Sequence, residues 1–273
     1  MRKVLLLTTL VGLLPVGLFA QQGDDNQQKT LVFTNATVID TTGAPAKTDM
    51  TVVVKGDRIE ALGKTGKLIV PQNRQVVDAT GKFLIPGLWD MHVHPHDKKD
   101  YLALFIANGI TGIRVMWGYP MHHTWREEIS AGELIGPRMV IASPVIDGPG
   151  DPRGYGSTIV RNEEEGRQIV RKSKAEGADF IKVYNNLSRD TYFAIVDESK
   201  KLGIPFVGHL PFSVSAVEAS NAGQQSIEHT RSVMMPCSTS GEKEIARRLS
   251  EVLPGGVCED FRALEFLANK YST

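Results

Sequence analysis

From residue 84 onward, short apolar runs alternate with stretches of helical character, and this alternation restricts the chain more than any other feature. The runs cover 84–94, 111–117, 138–146, 179–185, 204–210 and 226–234. Strand and helix in repetition is the pattern of βα units, whose strands line up in parallel. The segments between carry helix signals. Asn162 stands before Glu163, Glu164 and Glu165, a cap followed by carboxylates in the positive first turn. Ser188 caps the next helix, and Gly203 ends it after Lys200 and Lys201. Six units can be counted. A closed (β/α)8 barrel needs eight strands and typically ~250 residues. The expected fold is therefore α/β, a TIM-type barrel that stops after about six units.

Residues 30–83 read differently. Short strands such as Thr51-Val52-Val53-Val54-Lys55 and Arg58-Ile59-Glu60-Ala61-Leu62-Gly63 flank a Gly56-Asp57 turn. No cluster of His, Cys or carboxylates falls here, so 21–83 is expected to form a small β-sandwich layer without chemistry, followed by the barrel over 84–273. Ahead of it, Met1-Arg2-Lys3 is basic, Val4 to Phe19 is apolar, and a polar run starts at Gln21. That is the layout of a secretory signal peptide over 1–20. Leu18 is large for the third place before a cut after Ala20. An uncleaved anchor is the alternative, disfavoured by the short run and by Pro15.

The charges balance, with 31 basic and 31 acidic residues. Nothing points to nucleic acid or a membrane surface as a stable partner. The two cysteines, Cys237 and Cys258, are too far apart for Cys-x-x-Cys chemistry. They read as free thiols, with a disulfide as the alternative for an exported chain.

Candidate chemistry collects at strand ends. His92 and His94 lie two apart near the end of the first barrel strand, so both point to one face and can bind one metal ion. An exposed chance pair is the bland alternative. Lys182, His209 and His229 stand near the ends of three later strands, and a parallel barrel brings such ends to one mouth. A lysine suits a cation site once carbon dioxide has converted its amine to an anionic carbamate; otherwise it is a buried or paired lysine. His209 and His229, each taken singly, also read as core histidines. Tyr184 shares the face of Lys182 nearer the opening and is a candidate substrate contact. His122 and His123 read as solvated loop residues after the second strand, and His96 as a loop residue beyond Pro95. Gly148 to Gly156 reads as a mobile flap; it lacks the Gly-Lys-Ser/Thr of a phosphate loop.

Several motifs together give the chain a family resemblance. They are Pro86-Gly87-Leu88-Trp89-Asp90-Met91-His92-Val93-His94, Asn108-Gly109-Ile110-Thr111, Gly132-Glu133-Leu134-Ile135-Gly136-Pro137-Arg138, Asp179-Phe180-Ile181-Lys182-Val183-Tyr184, Gly208-His209-Leu210-Pro211, and Ala222-Gly223-Gln224-Gln225-Ser226-Ile227-Glu228-His229. Over residues 30–235 the chain resembles the metal-dependent amidohydrolase superfamily, in particular imidazolonepropionase-like proteins and Xaa-Pro or Xaa-Lys/Arg dipeptidases. The resemblance implies two divalent metals, zinc by the imidazole-rich set. His92 and His94 would hold the more buried metal, His209 and His229 the second, and carboxylated Lys182 would bridge them. A hydroxide between the metals would attack an amide carbonyl. The chain departs from the family pattern at Val115, where an acidic residue often follows the arginine. The family's essential aspartate ends the eighth strand, beyond Thr273. No catalytic residue is therefore assigned here, and Asp90 is not expected to substitute.

The reading is an exported, periplasmic or secreted hydrolase that cleaves a C–N amide bond in a dipeptide or cyclic amide. The rival is a truncated, non-catalytic fragment that still binds metal. The partner is a small amide or dipeptide, and a homo-oligomer is allowed. Protein recovered from a bacterial host should begin near Gln21 by intact-mass analysis. Soluble cytoplasmic protein that retains Met1 would exclude export.

Overall fold

The computed structural model describes residues 30–96, 100–150 and 156–229. The expected signal segment, both cysteines, residues 151–155 of the expected flap, and everything from 230 onward lie outside these. The chain divides into two compact units between Pro86 and Gly87.

In the first unit, β1 (Thr30–Val38) pairs antiparallel with β2 (Lys47–Lys55), and β2 with β3 (Arg58–Lys64). Gly56, at φ +61°, makes the β2–β3 turn. Strand β4 (Gln75–Asp78) and the short β5 (Phe83–Leu84) both run parallel to β1. Among the described residues this is one mixed five-stranded sheet, not two facing layers. Ala36, Val38, Met50, Val52 and Ala79 form its core. Leu84, expected to open the first barrel strand, belongs with Phe83 to this sheet instead.

The second unit carries a curled parallel sheet in the order β11-β10-β8-β7-β6. The strands are β6 (Leu88–Val93), β7 (Ile110–Val115), β8 (Arg138–Asp147), β10 (Phe180–Val183) and β11 (Phe206–Gly208). Strand β9 (Thr158–Ile159), which the sequence did not reveal, adds to the end of β8. Helices α1 (Tyr101–Ala107), α2 (Pro120–Ala131), α3 (Glu163–Ala175), α4 (Arg189–Leu202) and α5 (Ala216–Asn221) complete the units. The caps are local chemistry: Asn162 accepts from the Glu165 amide and Ser188 from the Thr191 amide, and Gly203 ends α4 at φ +65°. Of the sixth expected strand, over 226–234, residues 226–229 are described, and there Ile227 forms an isolated parallel bridge with Gly208. Amides of Gln225 and Glu228 nevertheless bond the carbonyls of Phe206 and Gly208.

Alternation along each strand divides the faces. Ile181, Val183 and Phe206 pack with helix residues Val170, Tyr192 and Ile195. Met116, Ala142, Phe180 and Val207 cluster separately, on the opposite face. Continuing that parity along β10 and β11 puts Lys182 and His209 on the inner face, toward the strand ends. At a bulge between β8 and β10 the Ser143 hydroxyl accepts the Lys182 amide at 2.9 Å, in place of a regular ladder bond.

Gly208 fixes the close approach of β11 to β10. Its φ is +136°, and an added Cβ would lie 2.2 Å from the Val183 carbonyl oxygen. Gly208→Ala should therefore destabilise the fold by about 1–3 kcal/mol. Urea denaturation checks this; an unchanged midpoint would mean that the backbone there relaxes freely.

Candidate functional site

His92 is the penultimate residue of β6, and His94 stands one residue past the strand. Lys182 lies in β10, Tyr184 and Asn185 follow that strand, and His209 follows β11. His229 comes after the Gly208–Ile227 bridge, with φ +68°. The structure brings the four histidines into one row. Ring centroids are 5.1 Å apart for His92–His94, 4.9 Å for His92–His229 and 4.8 Å for His209–His229. Tyr184 leans on His209 at 4.1 Å. The parallel topology alone produces this convergence of residues distant in sequence.

Two hydrogen bonds set ring orientation. A carboxylate only accepts, so His92 Nδ1–H donates to Glu228 Oε2 at 2.7 Å, which leaves Nε2 as the lone-pair nitrogen. That Nε2 is 3.1 Å from His94 Nε2. His209 Nδ1 likewise meets Asn185 Oδ1 at 2.9 Å. Glu228 is further engaged by Arg114 at 2.6 Å and by the Ser226 hydroxyl at 2.6 Å, and Arg114 also donates to Ser226 at 2.9 Å. Partial burial pushes the Glu228 carboxyl up. Bonds from His92 and Ser226 and the charges of Arg114 and Lys182 outweigh this and hold it well below the carboxylate range.

Lys182 is 1% exposed, and its Nζ has no hydrogen-bond partner among the described residues. Burial lowers its pKa to about 8; Arg114 adds to the fall, and Glu228 opposes it. The His94 pKa falls to about 4, first through desolvation and then through the potential cations His92, Lys182, His96 and His229, although part of its ring reaches solvent.

Among the described residues, no three His, Cys, Asp or Glu side chains are arranged to hold an ion by themselves. The imidazoles come in neighbouring pairs, and the other buried donor at the mouth is an amine. This donor set nonetheless fits divalent cations. Two nitrogens each ~2.0–2.1 Å from one zinc lie roughly 3 Å apart, as His92 and His94 do. The orphaned Nζ is the remaining group, and carboxylation would make it a ligand. With no ion, the His92–His94 contact is an N–H···N bond from His94.

Sequence reasoning overlooked Glu228 and Ser226 as site residues, and treated Arg114 only as part of a local departure. It also overlooked Asn185 and an aromatic wall. Trp117 and Tyr119 are stacked at 5.9 Å, and Trp117 and His96 each lie about 6 Å from His94. The Trp117 Nε1 is buried without a partner among the described residues. Asp90 accepts the His92 amide at 3.1 Å, a local turn contact.

His122 and His123 are not loop residues. Both belong to α2, and His122 is fully buried. Its Nδ1 accepts from the Tyr119 amide, and its Nε2–H donates to the Pro95 carbonyl at 2.7 Å, which ties α2 to the residue after His94. Pro120 at the first helical position starts α2 earlier than the loop reading assumed. His123 Nδ1 is bonded by Arg126, which pairs with Asp179.

The fold and this mouth define a parallel α/β half-barrel with an imidazole-rich centre. No family model matches the chain. A dihydroorotase from Ligilactobacillus salivarius (strain UCC118) is 30% identical over 126 residues, 44% of this chain and 24% of that protein. Bottromycin amidohydrolase superposes with a TM-score of 0.62 at 25% identity, over 74% of this chain and 43% of that one. A Xaa-Pro dipeptidase with methionine bound in its active site shares the fold, with a TM-score of 0.53 at 21% identity, over 66% and 56%. The chain thus spans less than two thirds of each of these relatives. These likenesses place the chain's fold among those of amidohydrolases.

Burial holds the His122 pKa below its ordinary value. The unfolded chain, with a histidine pKa of ~6.5, then takes up a proton more readily than the folded one. Stability is full above that value and falls as pH drops below it. Thermal melts from pH 8 to 5 should show this loss. His122→Leu should flatten part of the slope and lower stability at pH 8 by about 1–3 kcal/mol, because it strands the Pro95 carbonyl and the Tyr119 amide.

Proposed function

We propose that this chain carries the metal site of an exported hydrolase that cuts a C–N amide bond in a dipeptide or cyclic amide. The observation that carries the reading is the row of His92, His94, His209 and His229 beside a buried, unpartnered Lys182 amine. His92 and His94 would hold one divalent ion and His209 and His229 another, with carboxylated Lys182 shared between them. Zinc suits so imidazole-rich a set. Such ions, when bound, activate water and polarise a carbonyl.

The chain's own residues do the rest. Glu228 and Asn185 fix which nitrogen of His92 and of His209 faces inward. Burial of Lys182 keeps part of its amine neutral near pH 8, the form that attacks carbon dioxide. Tyr184, leaning on His209, contacts substrate. The Trp117 indole N–H offers a donor to a substrate oxygen, and Tyr119 and His96 extend the wall beside it. The small-molecule character of the relatives' ligands, such as methionine in the dipeptidase, supports a substrate of that size.

Elemental analysis of the chain purified with zinc and bicarbonate should find close to two divalent ions per molecule. Lys182→Ala should lose at least one, and short carboxylic acids should partly restore it. A screen of dipeptides and cyclic amides should reveal hydrolysis that falls with the metal content. Unchanged metal content in Lys182→Ala would make the lysine structural and remove the basis of this reading.

A further inference from the structure

The two histidine pairs are supported by chemically different partners. His92 Nδ1–H donates to a carboxylate, Glu228, at 2.7 Å. His209 Nδ1–H donates to a neutral carboxamide, Asn185, at 2.9 Å. Arg114 and Ser226 occupy the other Glu228 oxygen, each at 2.6 Å, so the carboxylate cannot swing away from His92. Asn185 is held through its backbone, whose carbonyl accepts the Phe212 amide at 2.9 Å. An anionic acceptor on one ring nitrogen makes the other a stronger electron-pair donor, and such bonds are roughly twice as strong as neutral ones.

We infer that Glu228 and Asn185 are positioning residues that make the two pairs unequal cation sites, with His92 and His94 tight and His209 and His229 weaker and exchangeable. The inference rests on the metal-binding reading above. Arg114 balances the carboxylate's charge overall, yet it bonds the oxygen that His92 does not use. The difference between the two imidazoles therefore persists.

Zinc titrated into the metal-stripped full chain, in bicarbonate buffer against a chromophoric chelator, tests this without any assay of turnover. The wild type should bind in two steps at least tenfold apart. His209→Ala should erase the weaker step and spare the tighter. Glu228→Gln should weaken the tighter step by about 10–100-fold. Asn185→Asp should tighten the weaker step and narrow the gap, a direction that loss of mere packing does not produce. Circular dichroism establishes that each variant is folded; if Glu228→Gln is not, Asn185→Asp decides alone. Two equal steps in the wild type, or weaker zinc binding in Asn185→Asp, would overturn the inference while metal binding itself stands. A wild type that binds no zinc would overturn both.

Discussion

One carboxylate ties the second unit together from the inside. Glu228 follows the bridge beyond β11, at one end of the curled sheet, and receives His92 from β6 at the other end and Arg114 from β7. No ladder hydrogen bond joins those ends among the described residues, so these side-chain bonds close the interior across the open side. A carboxylate in that place is costly unless its acceptor sites are filled. Here both oxygens are filled, by a histidine, a guanidinium and a hydroxyl. Removal of one partner from such a partly buried arrangement typically costs about 1–3 kcal/mol, most of it the penalty of the group left unsatisfied. The same bonds decide which nitrogen His92 presents, so the stability of the sheet's curl and the chemistry of its mouth share one group.

Support for the mouth continues outward in the same manner. Gln224 accepts from the Tyr192 hydroxyl on α4 and donates to the carbonyls of Gly208 and Ser226. It thereby holds β11 and the segment after it at the spacing that carries His209 and Glu228. His122 does the corresponding work for His94 through the Pro95 carbonyl. Ser143 does so for Lys182 through the backbone amide. Three of the candidate ligand positions are thus fixed by bonds to nearby backbone, which rotates less freely than a side chain and leaves less to order when a ligand arrives.

The sequence made much of this unit legible because its signals are local. Helix caps at Asn162 and Ser188 and the αL glycine at 203 are each settled within a few residues, and the apolar runs mark strands through their own periodicity. Strand ends followed from those runs, and a parallel topology then gathers His92, Lys182, His209 and His229 without further information. What the sequence hid was of another kind. Glu228 meets His92 and Arg114 across 136 and 114 residues, with no spacing rule to announce it. The first unit's strands were visible, but their arrangement as one sheet depends on which edges meet, and alternation is silent on that point. The loop reading of His122 failed because Pro120 stands at the first helical position, where it begins a helix.

The buried lysine gives the arrangement its chemical direction. An ammonium at 1% exposure with no acceptor bonded to Nζ has given up its hydration and received only the distant field of Glu228 in return, while Arg114 works against it. The fold can keep such a group by letting it shed its proton, and the fall of its pKa to about 8 is the energetic form of that choice. A neutral amine is also a nucleophile, and in a mouth crowded with imidazoles carbon dioxide is the simplest electrophile that converts it from a poor neighbour for cations into an anionic one. The proposed conversion would remove the repulsion that Lys182 and Arg114 impose on each other and would supply a negative charge beside the row of histidines. On this argument the burial that makes Lys182 costly in the metal-free chain is the same property that prepares it for its proposed role.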